Sequence, residues 1–345
     1  MNDNFNFSNG PQNEIYMSDE ERKSHKKIFS KLALAFIVYL LVAEVLSLVA
    51  GYTLKYLAPN LLSNTTAMLI ISSAIQYLVA FPIFYICLKS LPKYAPIRTP
   101  VGFKRVYKYL MVLVLFMYLG SNISTWLMEK ISLLIGRVPE NVVSTMLGET
   151  NIWVTVLIAG IIGPIFEELM FRKLFIDRLT SYGEITAILF PSLIFALIHG
   201  NLYQFFYAFL LGVIFSYVYI KTGNILYSTG LHIFANMFFG VLPTLVFSML
   251  DYNELITLVV NNALTEEYIA AHLFPIILLL IYSYGMLIMA GIGFFVLFRN
   301  FRNIHLAKGE VRFPKGVAAD VIFFNGGTIT LIGILILTIA LNTFG

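Results

Sequence analysis

Residues Gly163 to Arg178 read GPIFEELMFRKLFIDR, and the reading of this stretch decides the fold. It sets Glu167, Glu168 and Arg172 in an apolar run that opens at Ile152 and continues through Leu169, Met170, Phe171, Leu174 and Phe175. An acidic side chain at the centre of a bilayer costs about 2.5–3.5 kcal/mol on insertion scales, so two in succession demand partners. On a helix Glu168 and Arg172 stand four residues apart, share a face and can pair. Glu167 points about 100° away and is left free of that pair. A carboxylate held by an arginine beside one that is not suits acid–base work.

Composition extends this reading to the whole chain. Of 345 residues, 59% are hydrophobic and only 12% charged, whereas soluble domains carry about 25% charged residues. Mean hydropathy is +0.81. The fold class is therefore all-α, a polytopic transmembrane helical bundle. Its partners are the lipid bilayer and no nucleic acid, because the basic residues are spread among loops rather than massed on one face. The single cysteine, Cys87, excludes an intrachain disulfide and a cysteine-based zinc site.

Apolar runs near the ~20 residues of a membrane helix fall at 31–51, 66–88, 109–135, 152–178, 185–200, 202–221, 225–250, 269–298 and 320–343. That makes about nine spans, with eight as the alternative count. The fifth is short, and its end at His199-Gly200-Asn201 reads as a turn buried in the bundle. The third is expected to break near Gly120. Val138 to Asn151 is too polar to span and reads as a short surface helix. The chain divides into a disordered polar tail (1–27), three helices and a surface segment (28–150), a catalytic core (151–250) and C-terminal helices (251–345).

With the N-terminus inside, 20 of the 23 Lys and Arg residues fall in inner segments, leaving Lys55, Lys130 and Arg137 outside. The positive-inside rule predicts that orientation, with a cytoplasmic N-terminus. The outer segment from Asp251 to Tyr268 holds Asp251, Glu254, Glu266 and Glu267 and no base. The expected location is the plasma membrane of a bacterium.

Among the histidines, His25 lies in the tail, His272 near the outer start of the eighth span and His305 in the basic linker from Arg299 to Ala319. The other two sit in apolar runs, His199 in Phe195-Ala-Leu-Ile-His199 and His232 in His232-Ile-Phe-Ala-Asn236. Counted from the inner turns at ~1.5 Å per residue, Glu167 stands about 22 Å up, His199 about 25 Å, His232 about 14 Å and Asn236 about 20 Å. Neighbouring helices thus bring carboxylate, imidazole and amide to similar depth. Carboxylate plus imidazole can orient and deprotonate a water, and a second histidine with an asparagine can donate to an oxyanion. Together they suit hydrolysis of an amide. The same groups could hold a divalent metal such as zinc, on Glu167, His199 and perhaps His232, although H-E-x-x-H is absent. Glu44 and Gln76 are further polar residues inside spans, with no partner legible from spacing.

Three motifs occur in order: E-E-x-x-x-R from Glu167 to Arg172, F-x-x-x-H from Phe195 to His199 and H-x-x-x-N from His232 to Asn236. In these the chain resembles the CPBP family of CAAX proteases and bacteriocin-processing enzymes, also called the Abi family, which includes the Ras-converting CAAX endopeptidase. The resemblance covers about residues 150 to 240. Phe171-Arg172 fits the usual pair, and Lys173 stands where a glycine often follows. The resemblance implies a membrane-embedded endopeptidase acting on a peptide or protein substrate, membrane-bound or lipidated in some members. It implies Glu167 as the base that activates water with help from His199, and His232 with Asn236 as the oxyanion hole. Glu168 and Arg172 would support the base. Metal and metal-free mechanisms both remain open, as does a non-proteolytic alternative: a scaffold or immunity protein of the same family, or an ion- or proton-coupled transporter.

Overall fold

A computed structural model describes residues 17–250, 255, 257–259, 261 and 263–345. Residues 1–16 of the polar tail, and Asp251 and Glu254 of the acidic segment from Asp251 to Tyr268, lie outside the described residues. The described chain is helical with no strand. Among the described residues nine helices carry the bundle: α1 (Asp19–Leu57), α2 (Thr65–Leu88), α3 (Phe103–Ile135), α4 (Ile152–Tyr182), α5 (Glu184–Leu197), α6 (Leu202–Thr222), α7 (Ile225–Ser248), α8 (Leu273–Asn303) and α9 (Gly326–Phe344). Eight of them are long and apolar enough to cross a membrane. The fifth, α5, has 14 residues. The chain is an integral membrane protein.

The direction of α4 and α6 shows what α5 does. Arg172 of α4 lies over the ring of Phe215 in α6, and Tyr219 of α6 donates to Asp177 of α4 at 2.6 Å. Residue numbers rise together, so these helices run parallel, and the chain between them must return through α5. The return ends in the expected turn. Gly200 is buried with φ +68, Asn201 caps α6 by accepting from Gln204 N at 2.9 Å, and Asn342 of α9 donates to the Gly200 carbonyl.

Two expectations are corrected here. The polar stretch up to Lys27 is not all tail, because α1 begins at Asp19. Ser18 and Glu21 form a reciprocal capping box there, which satisfies two donors of the first turn. The third span does not break at Gly120, since α3 is continuous. Gly120 instead lets α6 approach: a Cβ at this position would run into the Tyr207 backbone. Val142–Glu149 forms the short helix expected before α4.

Packing follows two apolar clusters that share α6. One joins α1, α2, the second half of α4, α5 and α9 around Phe36, Phe84, Phe171, Phe175 and Phe195. The other joins α3, α6, α7 and α8 around Leu113, Phe215, Leu231 and Ala290. The Arg299–Ala319 linker packs on the turn between α4 and α5. Val311 N donates to Ser181 O at 2.9 Å, Glu184 N donates to Ala307 O at 3.1 Å, and Phe313 stacks on Tyr182. His25 contacts the Tyr182 hydroxyl at 2.9 Å.

The helices that face Glu167 are locally widened. α2 has a π-helical stretch at Ile75–Ala80, α4 at Val156–Ile162 and α7 at Asn236–Val241. Each stretch ends two residues before a proline: Pro82, Pro164 and Pro243. Proline lacks the N–H for the i−4 carbonyl and its ring collides with it. Widening the preceding turn relieves that collision, and such bulges recur at functional sites. A fourth stretch, Leu169–Ile176, follows Glu168 in α4.

Candidate active site

The four-residue spacing of Glu168 and Arg172 gives the pair it predicts. Arg172 Nη2 lies 3.2 Å from Glu168 Oε1, and both side chains are 0% exposed. Three phenyl rings enclose the guanidinium, with its carbon 5.1 Å from the Phe195 centroid, 5.5 Å from Phe215 and 6.0 Å from Phe171. Ring faces attract a cation most where water is excluded. Phe195, from the second motif, thus contacts the third member of the first.

His232 joins the two carboxylates. Its Nδ1 is 3.1 Å from Glu168 Oε1 and its Nε2 is 3.5 Å from Glu167 Oε2. The ring stacks on Phe215 at 4.6 Å and meets Phe195 edge-on at 5.7 Å. A carboxylate only accepts, so Nδ1 carries the proton donated to Glu168. Nε2 then faces Glu167 favourably when a proton lies between them, as it does in the imidazolium. With both glutamates ionised, Arg172 and an imidazolium at His232 bring the formal charge of the cluster to zero. Neutrality of this kind limits the desolvation penalty of buried ions.

Glu167, 29% exposed, turns into a cavity of about 360 Å³ that His199, His232 and Asn236 also line. Phe195, Gln204, Tyr207 and Thr244 are among its polar and aromatic walls, and Met146 reaches it from the short helix Val142–Glu149. His199 Nδ1 lies 2.7 Å from the Phe195 carbonyl. A carbonyl only accepts, so this bond places the proton on Nδ1 and leaves the Nε2 lone pair for another partner. Asn236 Nδ2 donates to Ala159 O at 2.8 Å, which uses one amide hydrogen and leaves the second. Ala159 belongs to the widened turn of α4, so π-helical stretches of α4 and α7 meet at this bond.

The conditional metal site fits less well. Among the described residues no three His, Cys, Asp or Glu side chains converge to hold a metal ion. Glu168 holds His232 Nδ1 and the Phe195 carbonyl holds His199 Nδ1, so Nε2 of each ring is the atom that would meet a metal.

Below the cluster, α4 is fixed by a second set of contacts. Lys173, where a glycine is usual, pairs with Asp177 at 2.8 Å and donates to Tyr219 Oη at 3.1 Å. Arg178 donates through Nε and Nη2 to the Leu88 carbonyl at the end of α2. Sequence reasoning missed Tyr39 and Tyr77, from α1 and α2, whose phenols are close enough to Glu167 to interact with its charge. The signal was available: a tyrosine hydroxyl inside an apolar span needs a polar partner.

Residues 149–238 match the family model described as type II CAAX prenyl endopeptidase Rce1-like. The UPF0177 protein YxdF of Lactococcus lactis subsp. lactis (strain IL1403) is 31% identical over 138 residues, covering 40% of this chain and 76% of that protein. No solved structure matches the chain.

Proposed function

The chain belongs to the Rce1-like family of type II CAAX prenyl endopeptidases, and on that premise we propose that it hydrolyses a peptide bond with a water activated by Glu167. The observation that carries this reading is the pairing pattern of adjacent glutamates. Glu168 is committed to Arg172 and His232, while Glu167 opens to the cavity shared with His199.

Water between Glu167 and the His199 Nε2 lone pair has two acceptors for its hydrogens. Glu167 takes one proton as the oxygen attacks the substrate carbonyl carbon. The developing oxyanion accepts from the remaining Asn236 amide hydrogen and from Nε2–H of His232 in its imidazolium form. Collapse breaks the C–N bond, and the proton held by Glu167 passes to the departing amine. The products are a carboxylic acid and an amine, and Glu167 is again a carboxylate. Glu168 and Arg172 act through His232, fixing its ring and tautomer.

The family points to a substrate at the membrane, so a prenylated CAAX peptide is the first to test. Residues 151–250 would form the catalytic core, with the flanking helices framing it. Nine crossings would place the N-terminus in the cytoplasm of a bacterium and Gly345 outside. A reporter fused after Gly345 that reads cytoplasmic overturns this topology. For the activity, the test is an internally quenched farnesylated CAAX peptide offered to the chain in nanodiscs, together with profiling of membrane peptides in cells carrying wild type or Glu167→Gln. New peptide termini with wild type alone support the reading. Equal cleavage by Glu167→Gln, or cleavage by neither, overturns it.

A further inference from the structure

The two oxygens of Glu167 face different surroundings. Oε2 is directed at His232, whereas Oε1 faces a notch beside Gly163. A Cβ built on Gly163 would lie 3.9 Å from Glu167 Oε1, 3.3 Å from Tyr77 Oη and 3.2 Å from the Ile158 carbonyl. The missing side chain thus leaves open the space that separates a phenol from a carboxylate.

Tyr77 is built to keep its hydroxyl there. Its ring stacks on Phe166, the residue before Glu167, with centroids 4.5 Å apart and planes 13° apart. Phe81 meets Phe166 edge-on at 5.1 Å. Gln76 and Tyr77 lie in the widened turn of α2, and Tyr39 of α1 donates to Gln76 Oε1 at 3.5 Å. This gives a polar lane from α1 through α2 to the side of Glu167 away from His232. Polar contacts longer than about 3.5 Å are commonly made through a water.

We propose that Tyr77 is a positioning residue for Glu167, holding Oε1 through one water in the Gly163 notch, with Tyr39 and Gln76 supporting it from behind. This rests on Glu167 being the base. The phenol orients the carboxylate and keeps Oε2 on the side of His232. No bond of the substrate passes through Tyr77.

Tyr77→Phe tests this while keeping the stack on Phe166. Two readouts are needed, both on the full chain in nanodiscs. The first is the infrared carboxyl band of Glu167, identified by its loss in Glu167→Gln. The second is kcat and KM on the quenched farnesylated CAAX peptide. The expected result is a shifted band, kcat lowered about tenfold, KM within about twofold and an unchanged Tm, the scale of one charge-assisted hydrogen bond made through water. Gly163→Ala, whose Cβ would sit 3.3 Å from Tyr77 Oη and take the place of the water while keeping the phenol, should move the same band in a folded protein. An unmoved band in Tyr77→Phe overturns the contact. A moved band with wild-type kcat overturns the positioning role. Either leaves the protease reading intact as long as wild type cleaves and Glu167→Gln does not. Failure of wild type to cleave this peptide or any membrane peptide overturns the protease reading, and the role of Tyr77 with it.

Discussion

The charged groups at the heart of the bundle and those at the start of α1 are held in opposite ways. Around Glu168 every partner is dry: Glu168 and Arg172 are 0% exposed and His232 only 4%. At the start of α1, Asp320 takes Lys26 at 2.8 Å and Arg22 at 2.7 Å with all three side chains partly in solvent. These pairs tie the start of α1 to the segment before α9, and loss of one partner can be compensated by water. The interior cluster has no such relief, so its charges must balance among themselves. Glu167 belongs to the interior but opens to a cavity, and that exception is where chemistry can occur.

The sharpest break of this comparison is Glu167→Gln. Hydrolysis should fall by about 10²–10⁴-fold, the range of a positioned general base, with Tm near wild type. A variant that loses folding instead would place Glu167 with the structural charges. Next comes Arg172→Ala, which strands Glu168 in a dry site and should cost about 3–5 kcal/mol in stability, read as thermal unfolding in detergent. Replacing both partners, Glu168→Gln with Arg172→Met, should recover much of that loss, since a buried pair exchanged for neutral groups can be nearly neutral. If the double variant is as unstable as Arg172→Ala, charge balance is not what the cluster supplies.

Asn236→Ala sharpens the cavity side. It should lower kcat about 10²–10³-fold, as for one oxyanion donor, and leave the Arg172–Glu168 pair in place. A change confined to KM would assign Asn236 to substrate binding. The smallest effect is expected for Asp320→Asn. The hydrogen bond from Lys26, and then Arg22, holds the Asp320 carboxyl below its ordinary range. Its contribution to stability is therefore full above the unfolded value, about 3.9, and is lost as pH falls through the lower folded value. Asp320→Asn should lower Tm slightly at pH 7, with the difference closing under acid conditions. A constant difference across that range would mean that packing, not charge, joins the segments.

Local spacing made part of the site legible. An i, i+4 pair is a property of one helix, so Glu168 and Arg172 could be joined from sequence, and their contact has that register. The apolar runs likewise gave the helices, because bilayer thickness sets a length that composition alone can meet. Pro82, Pro164 and Pro243 were not read from the sequence, and the widened turn before each is visible only in the folded helices.

Contacts between helices were another matter. His232 stands 64 residues from Glu168, and sequence reasoning grouped it with Asn236, its neighbour on α7. Which face of α7 meets α4 depends on helix rotation, which periodicity in a uniformly apolar helix does not fix. The same reason hid Tyr77 beside Glu167 and made a Glu167, His199 and His232 metal triad reasonable by depth alone. By itself the sequence determined a helical membrane protein, its spans, and a buried acid–arginine pair within the family motifs. Only the tertiary structure decided that one imidazole joins both carboxylates and that Glu167 alone of the two opens to the cavity. Packing sets those outcomes, since it rotates each helix until its charges balance and its rings fill the space between them.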